Sequence, residues 1–345
     1  MSAARLGCCG LLISWFRHNA SAPNLLKITG TKSGMLRGAS EDRQSTWGFC
    51  CAVKPYIIFN PRAGSVINRE KVLSQLTQLS PLALRITRKA GDAEKWARNA
   101  IRTKGDYIVV AGGDGTLNGV VNGLATDAKN VRIGIVPLGT GNDFARTLGL
   151  PFSIEHNIEI LRSAQTKRID LVRVKSKCAR YFVNVSAGGF SGMVGEKMTP
   201  KIKRTWGPLA YIRGAAAALP KLHAYHTEIL LDDDEQLSAD LYNVVIANGR
   251  FVAGGLPIAP DADPSDGFLE VVLIPKLCAP EIAVLAAEIV LGKHLSSKAT
   301  VFRRAKKISV RSRPGMCFNV DGEFVGNAPA VFQILPRALN FIVKQ

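Results

Sequence analysis

The sequence contains no C-x-x-C pair, and its seven cysteines, at positions 8, 9, 50, 51, 178, 278 and 317, are odd in number. That pattern argues against a zinc site or a closed disulfide framework and for a reducing compartment. Histidine is scarce as well, five in 345 residues. His223 and His226 lie three apart with no third ligand nearby, so they read as surface histidines and not as metal ligands. Long apolar runs are missing: 11–16 is too short to span a bilayer, and 215–219 and 282–291 read as core helices. Any membrane contact is therefore expected from the side. Acids are absent before Glu41, and residues 1–53 show no sustained period. They read as a targeting peptide, a disordered leader or a start codon set too far upstream, with Cys8 and Cys9 as weak candidates for acylation.

The chain is 47% apolar and 21% charged, with a formal net charge of +18. The first two figures describe a globular protein with a substantial core, long enough for two domains or one large one. The charge gathers at Lys197, Lys201, Lys203 and Arg204, and again at Arg303, Arg304, Lys306, Lys307, Arg311 and Arg313. Such runs suit anionic lipid or polyphosphate. Nucleic acid fits less well, because the basic runs lack interleaved aromatics and no nucleic-acid-binding module is recognisable.

From residue 54 to 168 apolar strands alternate with helical spacing. Tyr56-Ile57-Ile58-Phe59 runs into Asn60-Pro61-Arg62-Ala63-Gly64; a helix is expected over 69–79, a strand over 82–87, and a helix opening at Gly91-Asp92. The strand 107–111 then stops at Gly112-Gly113-Asp114-Gly115-Thr116, and Leu117, Val120, Val121 and Leu124 resume helical spacing. A further strand over 131–137 ends in Leu138-Gly139-Thr140-Gly141-Asn142-Asp143. Glycine-rich strand-to-helix turns let backbone N–H groups approach an anion closely, and the natural guest is a nucleotide phosphate. Alternating strands and helices predict an α/β domain with a parallel sheet, whose ligands bind beyond the carboxyl ends of the strands. From 169 to 345 short strands prevail, among them single strands expected over 181–185, 330–335 and 339–343, with helical spacing only at 206–222 and 280–293. This part is expected to be a predominantly antiparallel β domain, and a return of its C-terminus to the first domain is allowed. Its acids gather in two turns, Asp261 to Gly267 and Asp321-Gly322-Glu323, which suit turn formation, a hard cation or proton transfer alike.

In sum the pieces resemble the bacterial diacylglycerol-kinase-type lipid kinases, within them the YegS-like branch. The resemblance runs from about Lys54 to the C-terminus. Besides the three N-terminal loops it rests on Phe182-Val183-Asn184 leading to Gly188-Gly189-Phe190, on Asn248-Gly249-Arg250 with Ala253-Gly254-Gly255, on Asp266-Gly267-Phe268-Leu269-Glu270-Val271, and on Asp321-Gly322-Glu323. It implies ATP bound by Asn60, Pro61, Arg62, Ala63, Gly64, Thr87, Gly112 to Asn118 (with Leu117) and Thr140. It implies a structural magnesium ion at Asp263, Asp266 and the carbonyl of Phe268, apart from the one that travels with ATP. It also implies a general base in the 321–323 turn, Asp321 favoured over Glu323. Gly189-Phe190 is followed by Ser191-Gly192 where many relatives carry Asp-Ala, which weakens any transfer of diacylglycerol specificity.

The expected activity is transfer of the γ-phosphoryl group of ATP to a lipid hydroxyl, as in phospholipid biosynthesis, by a cytoplasmic enzyme attached peripherally to an anionic membrane surface. The lipid site is expected between the domains, beside the 188–190 turn and the alanine-rich helix near Ala215. Diacylglycerol, phosphatidylglycerol, a sphingoid base and ceramide are all admissible acceptors. Two other readings are a lipid-sensing protein of the same fold without turnover and a soluble-substrate kinase resembling the NAD kinases. The oligomeric state is open.

Overall fold

The computed structural model of the chain describes residues 54–103, 105–125, 130–163, 165–189 and 222–344, all within one compact unit spanning 51–345. The first part runs β1 (Tyr56–Phe59), α1 (Arg69–Thr77), β2 (Ala83–Ile86), α2 (Asp92–Arg102), β3 (Tyr107–Gly112), α3 (Asp114–Leu124), β4 (Arg132–Pro137), α4 (Asp143–Thr147) and α5 (Ile154–Ser163). Its strands are parallel, in the order β4-β3-β1-β2. They read as near-continuous apolar runs because both faces are covered. Ile58, Ile108 and Val110 pack against Ala93, Ala97, Val120 and Val121 of α2 and α3. Ile57, Phe59 and Val109, one residue out of phase, pack against Val72, Leu76 and Leu161 of α1 and α5.

The second part contains β5 (Thr166–Lys175), β6 (Ala179–Phe182), β7 (Val185–Gly189), β8 (Tyr225–Leu231), β9 (Glu235–Ala247), β10 (Phe251–Val252), β11 (Leu256–Pro257), β12 (Leu269–Pro275), α6 (Ala279–Val290), β13 (Val301–Ala305), β14 (Lys307–Arg313), β15 (Cys317–Val320), β16 (Glu323–Asn327) and β17 (Ala330–Ile342). The described pairings among these strands are antiparallel. Asp232 and Asp233 take the left-handed conformation, with φ of 51° and 64°, and close the β8–β9 hairpin. A T-shaped contact between Phe318 and Phe332, centroids 5.2 Å apart, and another between Phe182 and Phe332 sit in this core.

β17 is the seam. It pairs along most of its length with β5 on one side, and on the other first with β14 and then, in parallel, with β4. One 15-stranded sheet therefore runs through both parts, and β5 itself spans positions 168 and 169.

The structure departs from the sequence expectations at three points. The single strand expected over 181–185 is two, because the N–H groups of Val183 and Val185 turn to the carboxylate of Asp321 instead of continuing one ladder. The strands expected at 330–335 and 339–343 are one, with a register shift between Leu335 and Leu339. There Arg337, at φ 54°, donates its N–H to Asp170. The apolar helix at 282–291 is not core: of α6 only Leu285 is buried, while Val284 is 58% exposed.

Candidate active site

Three loops at the carboxyl ends of β1, β3 and β4 are tied to one another. The side-chain amide of Asn60 donates to Thr116 Oγ1 at 3.0 Å, and Ser65 donates to the Leu138 carbonyl through both its N–H (2.9 Å) and its hydroxyl (2.8 Å). Asn142, left-handed at φ 52°, accepts from the Gly139 N–H at 2.7 Å and returns a bond to the Gly139 carbonyl at 2.8 Å. The loops touch backbone to backbone. A Cβ on Gly113 would stand 2.8 Å from the Gly139 Cα, and one on Gly139 would stand 2.5 Å from the Gly113 Cα. Glycine is needed at both positions for that approach. The first turn of α3 starts here, and its leading N–H groups have no acceptor within the helix, which leaves donors that an anion could meet at this corner.

Three carboxyl groups share the corner. Asp114, first residue of α3, accepts from the N–H of Phe144 at 3.3 Å and so faces the start of α4. Asp143 reaches across to the turn after β10, accepting from Gly254 (3.0 Å to each oxygen) and Gly255 (2.8 Å). Asp321 accepts from Val185 at 2.9 Å and from Val183 at 3.3 Å. Burial raises the Asp114 carboxyl, opposed by backbone donors at the start of α4. It pushes Asp143 up to about 6, with repulsion from Asp114 adding to it. It pushes Asp321 up to about 7, the Val185 and Val183 N–H groups working against it and Asp114 again adding to it. Burial, with repulsion among the three, thus disfavours the charged form of each acid in this corner, beside the glycine loops.

These residues line one cavity of about 980 Å³. At its polar end stand Arg62, Arg88, Lys89 and Arg180 with the glycine loops. Arg180 bridges Glu94 of α2 (3.1 Å) and Glu323 (3.2 Å). The other end is apolar: Val245 of β9, Leu256 and Ile258, Ile274 of β12, and Ile282, Leu285 and Ile289 of α6.

A second acidic locus lies outside the cavity. Asp263 accepts from Ser265 Oγ at 2.6 Å and from Lys167 at 3.2 Å; burial works to raise it, but these donors outweigh it and hold it low. Asp266 pairs with Arg304 and accepts the Phe268 N–H at 2.9 Å. Asp170, wholly buried, is raised by burial and by the charges of Asp266 and Asp263, against the N–H groups of Arg337 and Gly267. Glu270 Oε2 is buried without a partner. Among the described residues no group of three or more His, Cys, Asp or Glu is arranged as a metal site.

Of the residues singled out in the sequence, Asn60, Arg62, Ala63, Gly64, Thr87, Gly113, Asp114, Gly115, Thr116, Thr140, Asp321 and Glu323 line the cavity. Pro61 and Gly112 are not among the lining residues. Leu117 belongs to the core, and Asn118, 1% exposed, is bonded by Asn122. Their helical phase turns them inward. Phe190, Ala215 and the basic run 197–204 lie outside the described residues. Half of the other basic run is paired with acids: Arg303 with Glu235, Arg304 with Asp266 and Glu270, and Lys307 with Asp233, while Lys306, Arg311 and Arg313 are exposed. Sequence reasoning passed over the Asp143 contact to Gly254 and Gly255, the Arg180 bridge and the apolar arm. A helix apolar on nearly every face was the available signal for the last.

Comparison with known proteins agrees with this arrangement. Residues 54–174 match the family model described as the diacylglycerol kinase catalytic domain, and residues 184–343 match that of the YegS C-terminal NAD kinase beta sandwich-like domain. The diacylglycerol kinase of Staphylococcus epidermidis (strain ATCC 35984) is 33% identical over 294 residues, covering 84% of this chain and 92% of that protein. The diacylglycerol kinase of Staphylococcus carnosus (strain TM300) is 30% identical over 289 residues, 82% and 93%. A solved structure from Bacillus anthracis str. Sterne superposes with a TM-score of 0.73 at 24% identity, covering 85% of this chain and 95% of that one. At that identity it speaks for the fold alone.

Proposed function

The chain belongs to the diacylglycerol kinase family, and on that premise we propose that it transfers the γ-phosphoryl group of ATP to the hydroxyl of a membrane lipid. The observation that carries this reading is the single cavity whose two ends differ in chemistry. Glycine loops, a helix start and cationic side chains suit a triphosphate at one end. Aliphatic side chains from β9, β12 and α6 suit an acyl chain at the other, so an acceptor hydroxyl would sit between them, beside Asp321.

In the proposed reaction the acceptor oxygen bonds to the γ-phosphorus while the bond from that phosphorus to the β–γ bridging oxygen breaks. The acceptor proton passes to the Asp321 carboxylate, giving ADP and a lipid phosphate. A carboxyl raised to about 7 is well matched to that task at neutral pH. Glu323 is the alternative base in the same turn, but its carboxylate is engaged by Arg180. Asn60, Thr116 and Thr140 with the glycine loops would orient the phosphates, and Arg62 and Arg180 would offset their charge. The grouping of Asp114, Asp143 and Asp321 suits a magnesium ion accompanying ATP, which would neutralise charge on the transferring group. A second magnesium ion is proposed at Asp263, Asp266 and the Phe268 carbonyl. The raised Asp170 carboxyl and the unpartnered Glu270 Oε2 support it, since both register acid that Lys167 and Arg304 leave uncompensated. Its role would be to fix that turn.

The test is incubation of the purified chain with γ-labelled ATP and, separately, diacylglycerol, phosphatidylglycerol, a sphingoid base, ceramide and NAD. Label retained in a lipid extract is the expected result. Label in NAD and in none of the lipids would overturn the reading.

A further inference from the structure

The helix α6 carries two apolar faces, and only one of them serves the cavity. Ile282, Leu285, Ala286 and Ile289, at helical spacing, line the apolar arm. Opposite them Val284 is 58% exposed, Leu291 at the helix end is 68% exposed, and Ala287 between them is exposed too. Two large aliphatic side chains one heptad apart form an outward stripe, which on a purely solvated helix would be polar. The two acids of the helix flank it, Glu281 exposed at the helix start and Glu288 partly buried. Glu281 turns back to accept the Cys278 N–H at 2.8 Å, and Glu288 has its Oε2 buried. The stripe is framed by exposed lysines, Lys276 before the helix and Lys293 and Lys298 after it. Apolar side chains flanked by cations at both ends have the chemistry of a helix lying in the headgroup region of an anionic leaflet.

We propose that α6 is the membrane-seating element: it lies in the surface of an anionic bilayer with Val284 and Leu291 inserted, so that the apolar arm behind it opens toward the acyl chains. Its inner face guides the lipid while its outer face holds the enzyme on the leaflet. We set it ahead of the 303–313 run as the seat, since three of that run's six cations, Arg303, Arg304 and Lys307, are engaged by acids of the same molecule. The proposal rests on the lipid-acceptor reading for the use made of the arm, but docking itself is measured without ATP or turnover.

The experiment is co-sedimentation of the full chain with phosphatidylcholine vesicles with and without phosphatidylglycerol. Wild type should bind the anionic vesicles, salt should weaken binding, and V284D and L291D should each weaken it about tenfold. Removing one charge with K293Q should weaken it about fivefold. In a separate L291W protein, tryptophan emission should shift to the blue on addition of anionic vesicles. Phosphoryl transfer to a short-chain diacylglycerol in free solution should be unchanged in V284D and L291D, which separates loss of docking from loss of the kinase reading. Vesicle binding of a V284D/L291D protein equal to wild type would overturn the proposal. So would a dimer in wild type that the same double substitution dissociates while vesicle binding stays unchanged, since the stripe would then be an interface between copies.

Discussion

Asp321 and Val185 hold one another twice: the N–H of Asp321 donates to the Val185 carbonyl at 3.0 Å, and the N–H of Val185 donates to Asp321 Oδ1 at 2.9 Å. The pair fixes the β15–β16 turn against the break between β6 and β7. It also keeps a half-buried carboxyl at the cavity wall, at a left-handed φ of 44°. Asparagine tolerates that conformation. D321N should therefore keep the fold and ATP binding while kcat falls about 10²- to 10⁴-fold. Stopped-assay rates together with an ATP titration check both halves; a wild-type rate would remove Asp321 from the mechanism.

The pH dependence of the rate follows from the same group. With its carboxyl pushed up to about 7, Asp321 holds the proton at lower pH and cannot accept another, so kcat/KM should decline as pH falls through about 7. The decline should vanish from the residual activity of D321N. A wild-type profile flat down to pH 5 would take Asp321 out of this role.

Asp143 makes a prediction about stability. Its carboxyl lies at about 6 in the fold against an ordinary 3.8, so the folded chain binds the proton more tightly than the unfolded chain does. The stability this contributes is complete below pH 3.8 and is lost as pH rises through about 6. Relative to D143N, wild type should lose up to about 3 kcal/mol between pH 4 and pH 7. Urea unfolding of both proteins across that range measures it, and a constant difference would contradict the assignment.

The glycine contact yields a contrast. G139A would force a methyl group to within 2.5 Å of the Gly113 Cα, so it should cost about 1–3 kcal/mol of stability and weaken ATP binding. At Gly115 an added Cβ meets nothing within 4 Å, and the position is helical, so G115A should leave stability unchanged or slightly raised. Thermal melts with and without ATP separate the two.

Filling the apolar arm should discriminate among acceptors. I289W places a large ring where Ile289 now lines the cavity, which should raise KM for long-chain acceptors about tenfold or more while ATP affinity stays as in wild type. Equal effects on long- and short-chain acceptors would argue that the arm does not receive the chain.

Local chemistry made much of this legible in the sequence. The parallel half of the fold could be read from apolar strands ending in glycine turns, because a strand covered on both faces has no polar positions to interrupt it. The close meeting of the glycine loops could be read for a related reason: no residue but glycine permits the Gly113–Gly139 approach. Tertiary structure decided what depends on partners distant in the chain. Whether the 181–185 run makes one strand or two depends on a carboxylate 136 residues away, at Asp321. Whether a basic run is free to meet a membrane depends on acids such as Glu235 and Asp266, which only the fold brings beside it. An apolar helix reads alike whether it is buried, lines a cavity or faces outward. Sequence alone therefore determined that α6 is apolar, and packing decided that one of its faces borders the cavity and the other is left open.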